Sequence, residues 1–252
     1  MSSTLLPVGF GLGVAMALLV GVAVVTAWVG RLRHSRAALT ASLRAVVQLA
    51  GVALILAAVV DSPVLTVGFV IVMYAAASVT AGRRVTRRRA SWAVVPIVVS
   101  TLPVLLALLG TGVLPAQALA VIPIAGILIG GAMTATALAG RRALDDLSTR
   151  RGEVEAALSL GLPPRDAALE ICRPAASSAL VPVTDQTRTV GLVTLPGAFV
   201  GMLLGGASPV QAGAVQLFVL VALLAVETVA VVVTVELVAY GHLTRQDPFA
   251  GS

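Results

Sequence analysis

Apolar positions in this chain fall in long unbroken blocks. They show neither the alternation of a half-buried strand nor the one-sided stripe of a surface helix. Seven blocks stand out, at 8–29, 41–60, 64–82, 92–110, 118–139, 189–206 and 210–239. Each is long enough to cross a hydrocarbon core of about 30 Å as a helix. In lipid the backbone N–H and C=O groups have no water to bond, so such blocks must be helices or strands of a closed barrel. Barrel strands would be shorter and would alternate in polarity. The pattern therefore predicts an all-α polytopic membrane protein with about seven transmembrane helices. The block 189–206, carrying Pro196 and several glycines, is the weakest of the seven. One long polar stretch, 140–188, interrupts the series and reads as a cytosolic loop within a single transmembrane domain spanning 1–252.

The arginines orient this arrangement. Arg31, Arg33, Arg36 and Arg44 follow the first block, and Arg83, Arg84, Arg87, Arg88 and Arg89 follow the third. Arg141, Arg142, Arg150, Arg151, Arg165, Arg173 and Arg188 lie in the long stretch, and Arg245 follows the seventh block. With seven spans all of them fall on one side, and the other side carries only Asp61. The positive-inside rule makes the arginine side cytosolic. The N-terminus is then outside and the C-terminus inside, in a multi-pass protein of the plasma membrane.

Composition agrees. The 252 residues are 58% hydrophobic and 11% charged, against about 25% charged in a soluble domain. The formal charge of +6 does not point to nucleic acid, because the arginines flank spans where anionic headgroups lie and no aromatic platform accompanies them. All 17 basic residues are Arg. A P-loop needs Lys to reach the nucleotide phosphates, so the chain is not itself a P-loop ATPase and no catalytic residues are expected. The single cysteine, Cys172, excludes an intramolecular disulfide and a Cys-cluster metal site. His34 and His242 lie far apart in sequence, and no metal-ligand set is legible. The first block is too long for a cleavable signal peptide and no basic residue precedes it.

Within the polar stretch, Leu144, Leu147, Val154 and Leu158 recur at helical spacing and predict a helix over 141–160. Gly161 permits a sharp break. Pro163 and Pro164 suit the start of a short helix, with Asp166 and Glu170 early in it and its end expected by Pro174. Glu155-Ala156-Ala157, Gly161 and Ile171-Cys172-Arg173-Pro174 together resemble the EAA loop of ABC-transporter permeases. The resemblance implies that Glu155, Ala156, Ala157, Gly161, Pro164 and Ile171 dock a separate ABC ATPase subunit, which would bring the ATP and Mg. Arg173 departs from that pattern, which usually has Leu before the proline.

Four further segments are similar to the FetB-type permease family. They are Arg44–Leu49, Ile122–Met133, Leu158–Gly161 and Thr189–Gly197. The likeness covers about 40–240. Bacterial members are described as iron exporters, and related plant proteins act in aluminium tolerance as membrane partners of an ATPase. The resemblance thus implies ATP-driven export of metal, with iron as the cargo, by a homodimer of this chain with two ATPase copies. Gly131 stands where the resemblance leads us to expect Asn.

Candidate pathway residues come from polar groups inside blocks. Glu227 sits mid-block, where a lone carboxylate is costly and marks function by default. Its two readings are a cation pathway and a neutral acid bonded to a neighbouring helix. Gln48, one turn from Arg44, reads chiefly as glue between helices. Asp185 and Arg188 can pair at the entry to the sixth block. Met133, with Met16, Met73 and Met202, offers soft ligands, though scattered Met is usually packing. Glu236, near the cytosolic edge, is expected to be solvated. The small-residue steps Gly126–Gly130 and Gly197–Gly201–Gly205 fit either internal packing or a dimer seam. Two rivals to the permease reading remain: a proton-coupled secondary transporter with Glu227 as carrier, and a non-transporting scaffold.

Overall fold

The computed structural model describes residues 9–32, 35–60, 62–86 and 89–244. Arg33, His34, Asp61, Arg87, Arg88 and Arg245 lie outside the described residues, and with them the readings placed on those side chains. The described elements are helical, apart from one isolated bridge between Val190 and Thr194. The chain divides into two compact units, residues 1–61 and 62–252.

The first unit holds α1 (Phe10–Val29) and α2 (Ser35–Val59), which pack against one another. No residue of α1 is buried. A helix that is apolar all round has to bury itself in lipid or protein. The second helix begins six residues ahead of the block 41–60 and so takes in Arg36.

The second unit begins with α3 (Pro63–Val85), capped by the Ser62 hydroxyl. After a 3₁₀ turn at Ala90–Ala93 come α4 (Val94–Gly110) and α5 (Ala118–Thr149). Next are α6 (Arg151–Ser159) and α7 (Pro164–Ser177), a 3₁₀ turn at Ser178–Leu180, α8 (Val181–Thr189) and α9 (Gly197–Leu204). The last helix, α10 (Pro209–Ala239), starts with a capping box built from Ser208 and Gln211.

The core lies where α3, α4, α5 and α10 meet, and small side chains fill it: Ala81, Ala125, Ala132, Ala135, Ala139 and Ala230 among them. Small residues let helix backbones approach closely, which is the main source of packing energy between helices in lipid. Three contacts fix the register. Gly126 faces the Met73 methyl, Gly131 faces Leu223 and Glu227, and Gly140 faces Val85 and Thr234. Position numbers rise together along α3, α5 and α10, so these three helices run in the same direction.

Six helices are long and apolar enough to cross a membrane: α1, α2, α3, α4 with its 3₁₀ turn, α5 and α10. The expected span 189–206 differs. Residues 189–194 form a tight turn in which Gly191 N donates to Thr194 O and Gly191 has φ +83°. Pro196 then disfavours helical geometry at Leu195. The helix beyond it, α9, has 8 residues and is about 12 Å long, too short to cross alone. The 141–160 helix also has a joint: α5 stops at Thr149 and α6 resumes at Arg151.

Candidate functional site

The joint between α5 and α6 is held by its own charges. Arg150 donates from Nε and Nη2 to the two carboxylate oxygens of Glu153, at 2.8 and 2.5 Å. The same guanidinium lies 3.9 Å from Asp146 on α5. The bond from Arg150 holds the Glu153 carboxyl below the usual carboxylate range. Along α6, Arg151 pairs with Glu155 at 2.9 Å, one turn on.

The end of α6 is a sharp reversal. Gly161 has φ +90°, its N–H donates to Leu158 O at 2.9 Å, and Leu162 N donates to Ala157 O at 3.1 Å. These are the two bonds of a Schellman cap, which needs a left-handed residue at this position. Pro164 then opens α7 at its first turn, with Asp166 beside the helix N-terminus. The result is a rigid knob of two short helices. Glu155, Ala156, Gly161 and Pro164 are exposed on it and Ala157 is half-buried. Ile171 is different: it is buried with Leu169, Cys172 and Ala176 on the inner face of α7. It holds the knob to its own unit and offers a partner no surface. Pro174 does not end α7, which continues to Ser177. The proline leaves the Glu170 carbonyl without its helical donor, and Glu170 lies on the exposed side of the helix.

The knob is tied to α10. Arg165 donates to both carboxylate oxygens of Glu236, from Nε at 2.9 Å and from Nη2 at 2.8 Å. Its guanidinium also lies 5.3 Å from the centre of the Tyr240 ring. Glu236, expected to be solvated, is therefore a bonded partner in a two-pronged ion pair. A groove of about 270 Å³ runs between α7 and α10, with Arg173 and Glu236 on its lining. Cys172 is buried nearby, and burial pushes its thiol up to about 12.

Deeper along α10, Glu227 is only 8% exposed. Its carboxyl group lies over Gly131 of α5. A Cβ at Gly131 would stand 2.8 Å from Glu227 Oε1 and would run into the Leu223 side chain. The glycine leaves the space that the carboxyl group occupies. Among the described residues Glu227 has no hydrogen bond or ion pair, so the bonded-acid reading finds no partner there. Gly131→Asn is expected to destabilise the protein by about 1–3 kcal/mol through overpacking. Thermal unfolding of the purified protein in detergent checks this, and an unchanged unfolding temperature would contradict the contact.

A family model matches residues 10–242, nearly the whole chain. The chain belongs to the uncharacterised protein family UPF0014. Among curated UPF0014 relatives, the membrane protein STAR2 of Oryza sativa subsp. japonica is 38% identical over 159 residues, 62% of this chain and 56% of that protein. Protein ALUMINUM SENSITIVE 3 of Arabidopsis thaliana is 46% identical over 99 residues, 39% of this chain and 36% of that protein. The "probable iron export permease protein FetB" of Escherichia coli (strain K12) is 34% identical over 113 residues, 45% of this chain and 44% of that protein. The chain thus spans about half or less of the length of these three relatives. No solved structure matches.

In this UPF0014 protein the docking candidates come together on the knob, Ile171 excepted, whereas the pathway candidates of the second unit, Glu227, Met133 and Asp185, lie on three different helices. Arg44 and Gln48 are exposed one turn apart on α2, in the other unit. Met133 is half-buried and packs on the core. Asp185 is exposed on α8, 4.0 Å from Arg188. Among the described residues no three His, Cys, Asp or Glu side chains group as a metal site. Three features escape a reading of the sequence alone. Leu160, at the tip of the knob, is 82% exposed. The Arg165–Glu236 bond has no local signal, because its partners are 71 positions apart. Ser78 Oγ on α3 and Thr136 Oγ1 on α5 are buried without a hydrogen-bond partner, on the two helices that run parallel to that of Glu227.

Proposed function

We propose that this protein is the permease subunit of an ABC transporter that exports a metal cation, iron being the first candidate, with ATP hydrolysis supplied by a separate ATPase chain. The observation that carries the reading is the knob formed by α6, Gly161 and α7. It is a rigid, exposed element with an apolar tip at Leu160, and it is bonded through Arg165 to a helix long enough to span the bilayer. A partner that moved the knob would move α10 with it. Membership of UPF0014, and relatives named "probable iron export permease protein FetB" and "Protein ALUMINUM SENSITIVE 3", support the class. In the working complex two copies of the permease would meet two ATPases in the plasma membrane, with the knob in the cytosol. The wall candidates for the cargo are Glu227, Asp185, Arg44, Gln48 and Met133. Export from the cytosol is carried over from the relative named for iron.

The test is co-purification with a candidate ABC ATPase chain co-expressed with it. Glu155→Arg and Gly161→Pro are expected to reduce association and permease-stimulated ATP hydrolysis about fivefold or more, the lower end of coupling between sites. Gly161→Pro removes the left-handed residue and its N–H. Glu155→Arg changes only surface charge, so it separates lost docking from lost folding. Wild-type association in both variants sinks the docking role.

A further inference from the structure

We infer that the limb formed by α8, the 189–194 turn and α9 is the seam where a second copy of this chain packs. Chain direction is the first reason. Both α5 and α10 run the same way, so the chain between them must return along their whole length. The contacts trace that return. Arg165 meets Glu236; Leu180 lines one groove with Thr228 and Val232; Val190 and Leu195 line another with Gly213 and Leu217. From Thr228 back to Gly213 is a rise of about 22 Å, most of the thickness of a hydrocarbon core. Below the knob, the return crossing is therefore carried by residues 178–195 and not by an apolar helix at 189–206.

Its middle piece is polar. Six consecutive residues, Thr184 to Thr189, carry polar side chains. Only Val183 of α8 is buried. Asp185 and Arg188 point away from the core, with side chains 61% and 76% exposed. Charged side chains at this depth face protein or water and not lipid, and a broken backbone is tolerated there only under the same cover. Among the described residues of the unit 62–252 nothing supplies that cover. The next piece repeats the point: a Cβ at Gly197 or Gly201 of α9 would meet nothing within 4 Å. Gly126, by contrast, is filled by the Met73 side chain. The Gly197–Gly201 step is thus a close-packing face without its helix.

A second copy fits both faces. Two copies inserted in the same direction are related by a two-fold axis along the membrane normal, and such an interface pairs a surface with itself. The two α8 helices then lie at equal depth. Each Asp185 comes within one helical turn of the other copy's Arg188, about 4.5 Å along the axis. The patch is charge-complementary to itself, and the small-residue step suits a helix crossing beside it.

The proposal rests on the permease reading only for insertion in the membrane, and its test needs neither ATPase nor cargo. Asp185→Cys, Arg188→Cys and Gly201→Cys are made one at a time in the full chain, purified in lipid nanodiscs and treated with a short bifunctional maleimide. Wild type serves as the blank, since its one cysteine, Cys172, is buried. Leu106→Cys, exposed on α4, is the control. The three limb positions are expected to give cross-linked dimer at least tenfold above the control. Reversing one charge, Asp185→Arg, is expected to lower cross-linking at Gly201→Cys, and adding Arg188→Asp to restore it. Dimer at Leu106→Cys equal to that of the limb, or monomer at all three limb positions, overturns the seam. If the ATPase still co-purifies in that case, the permease reading stands without it.

Discussion

Glu227→Gln is expected to cut export about tenfold or more, one decade for each 1.4 kcal/mol of lost interaction with the passing cation. The same variant is expected to unfold at the wild-type temperature or slightly above it. Glutamine keeps the length and shape of the side chain, so the contact with Gly131 and Leu223 persists. What it loses is the capacity to bear charge at a depth where a charged side chain costs about 2.5–3.5 kcal/mol. A purely structural Glu227 would be a neutral acid in need of a hydrogen-bond partner, and none is found among the described residues. Cellular iron in an overexpressing strain is one readout. Cation uptake into inverted vesicles with the ATPase present is another. Export at the wild-type rate would remove Glu227 from the pathway. A drop in both export and unfolding temperature would assign it to packing instead.

Much of this architecture is legible in the sequence, and the exceptions share a physical cause. Hydropathy locates α1 to α5 and α10 because each is apolar over a whole bilayer thickness. The Gly161 reversal is legible because a left-handed cap has a residue preference of its own. The block 189–206 fails as a span because its apolar average hides Gly191 and Pro196, two residues that break a helix. The segment Thr184–Thr189 reads as loop because composition reports what a residue is and not what it packs beside. Its place along α10 depends on the parallel course of α5 and α10, a relation between helices far apart in the chain. Ile171 sits in a motif associated with docking, yet its burial is set by the inner face of α7 against α5. The need for glycine at 131 is likewise invisible in the sequence, because it comes from the Glu227 carboxyl group on a helix almost a hundred positions away.

Arg165→Glu is expected to leave the ATPase bound while export falls about fivefold or more. Arg165 joins the knob to α10 through hydrogen bonds from Nε and Nη2 to both carboxylate oxygens of Glu236 and a contact over the Tyr240 ring. Glutamate at 165 replaces that attraction with two facing carboxylates. The proposed docking surface of Glu155, Ala156 and the Gly161 turn is untouched, because its geometry comes from bonds within α6 and its cap. Movement of the knob would then no longer be passed to α10, and ATP would be hydrolysed with little cargo moved. The double variant Arg165→Glu with Glu236→Arg restores opposite charges at the same two positions. It is expected to recover most of the export, short of wild type because the guanidinium leaves position 165 and its contact with Tyr240. The ratio of cation exported to ATP hydrolysed in proteoliposomes separates the cases. A wild-type ratio in the single variant would show that force does not pass through this pair. Loss of ATPase binding would show that the pair shapes the knob and does not transmit its motion. Rescue by the charge swap is the one result that a merely disrupted fold would not produce.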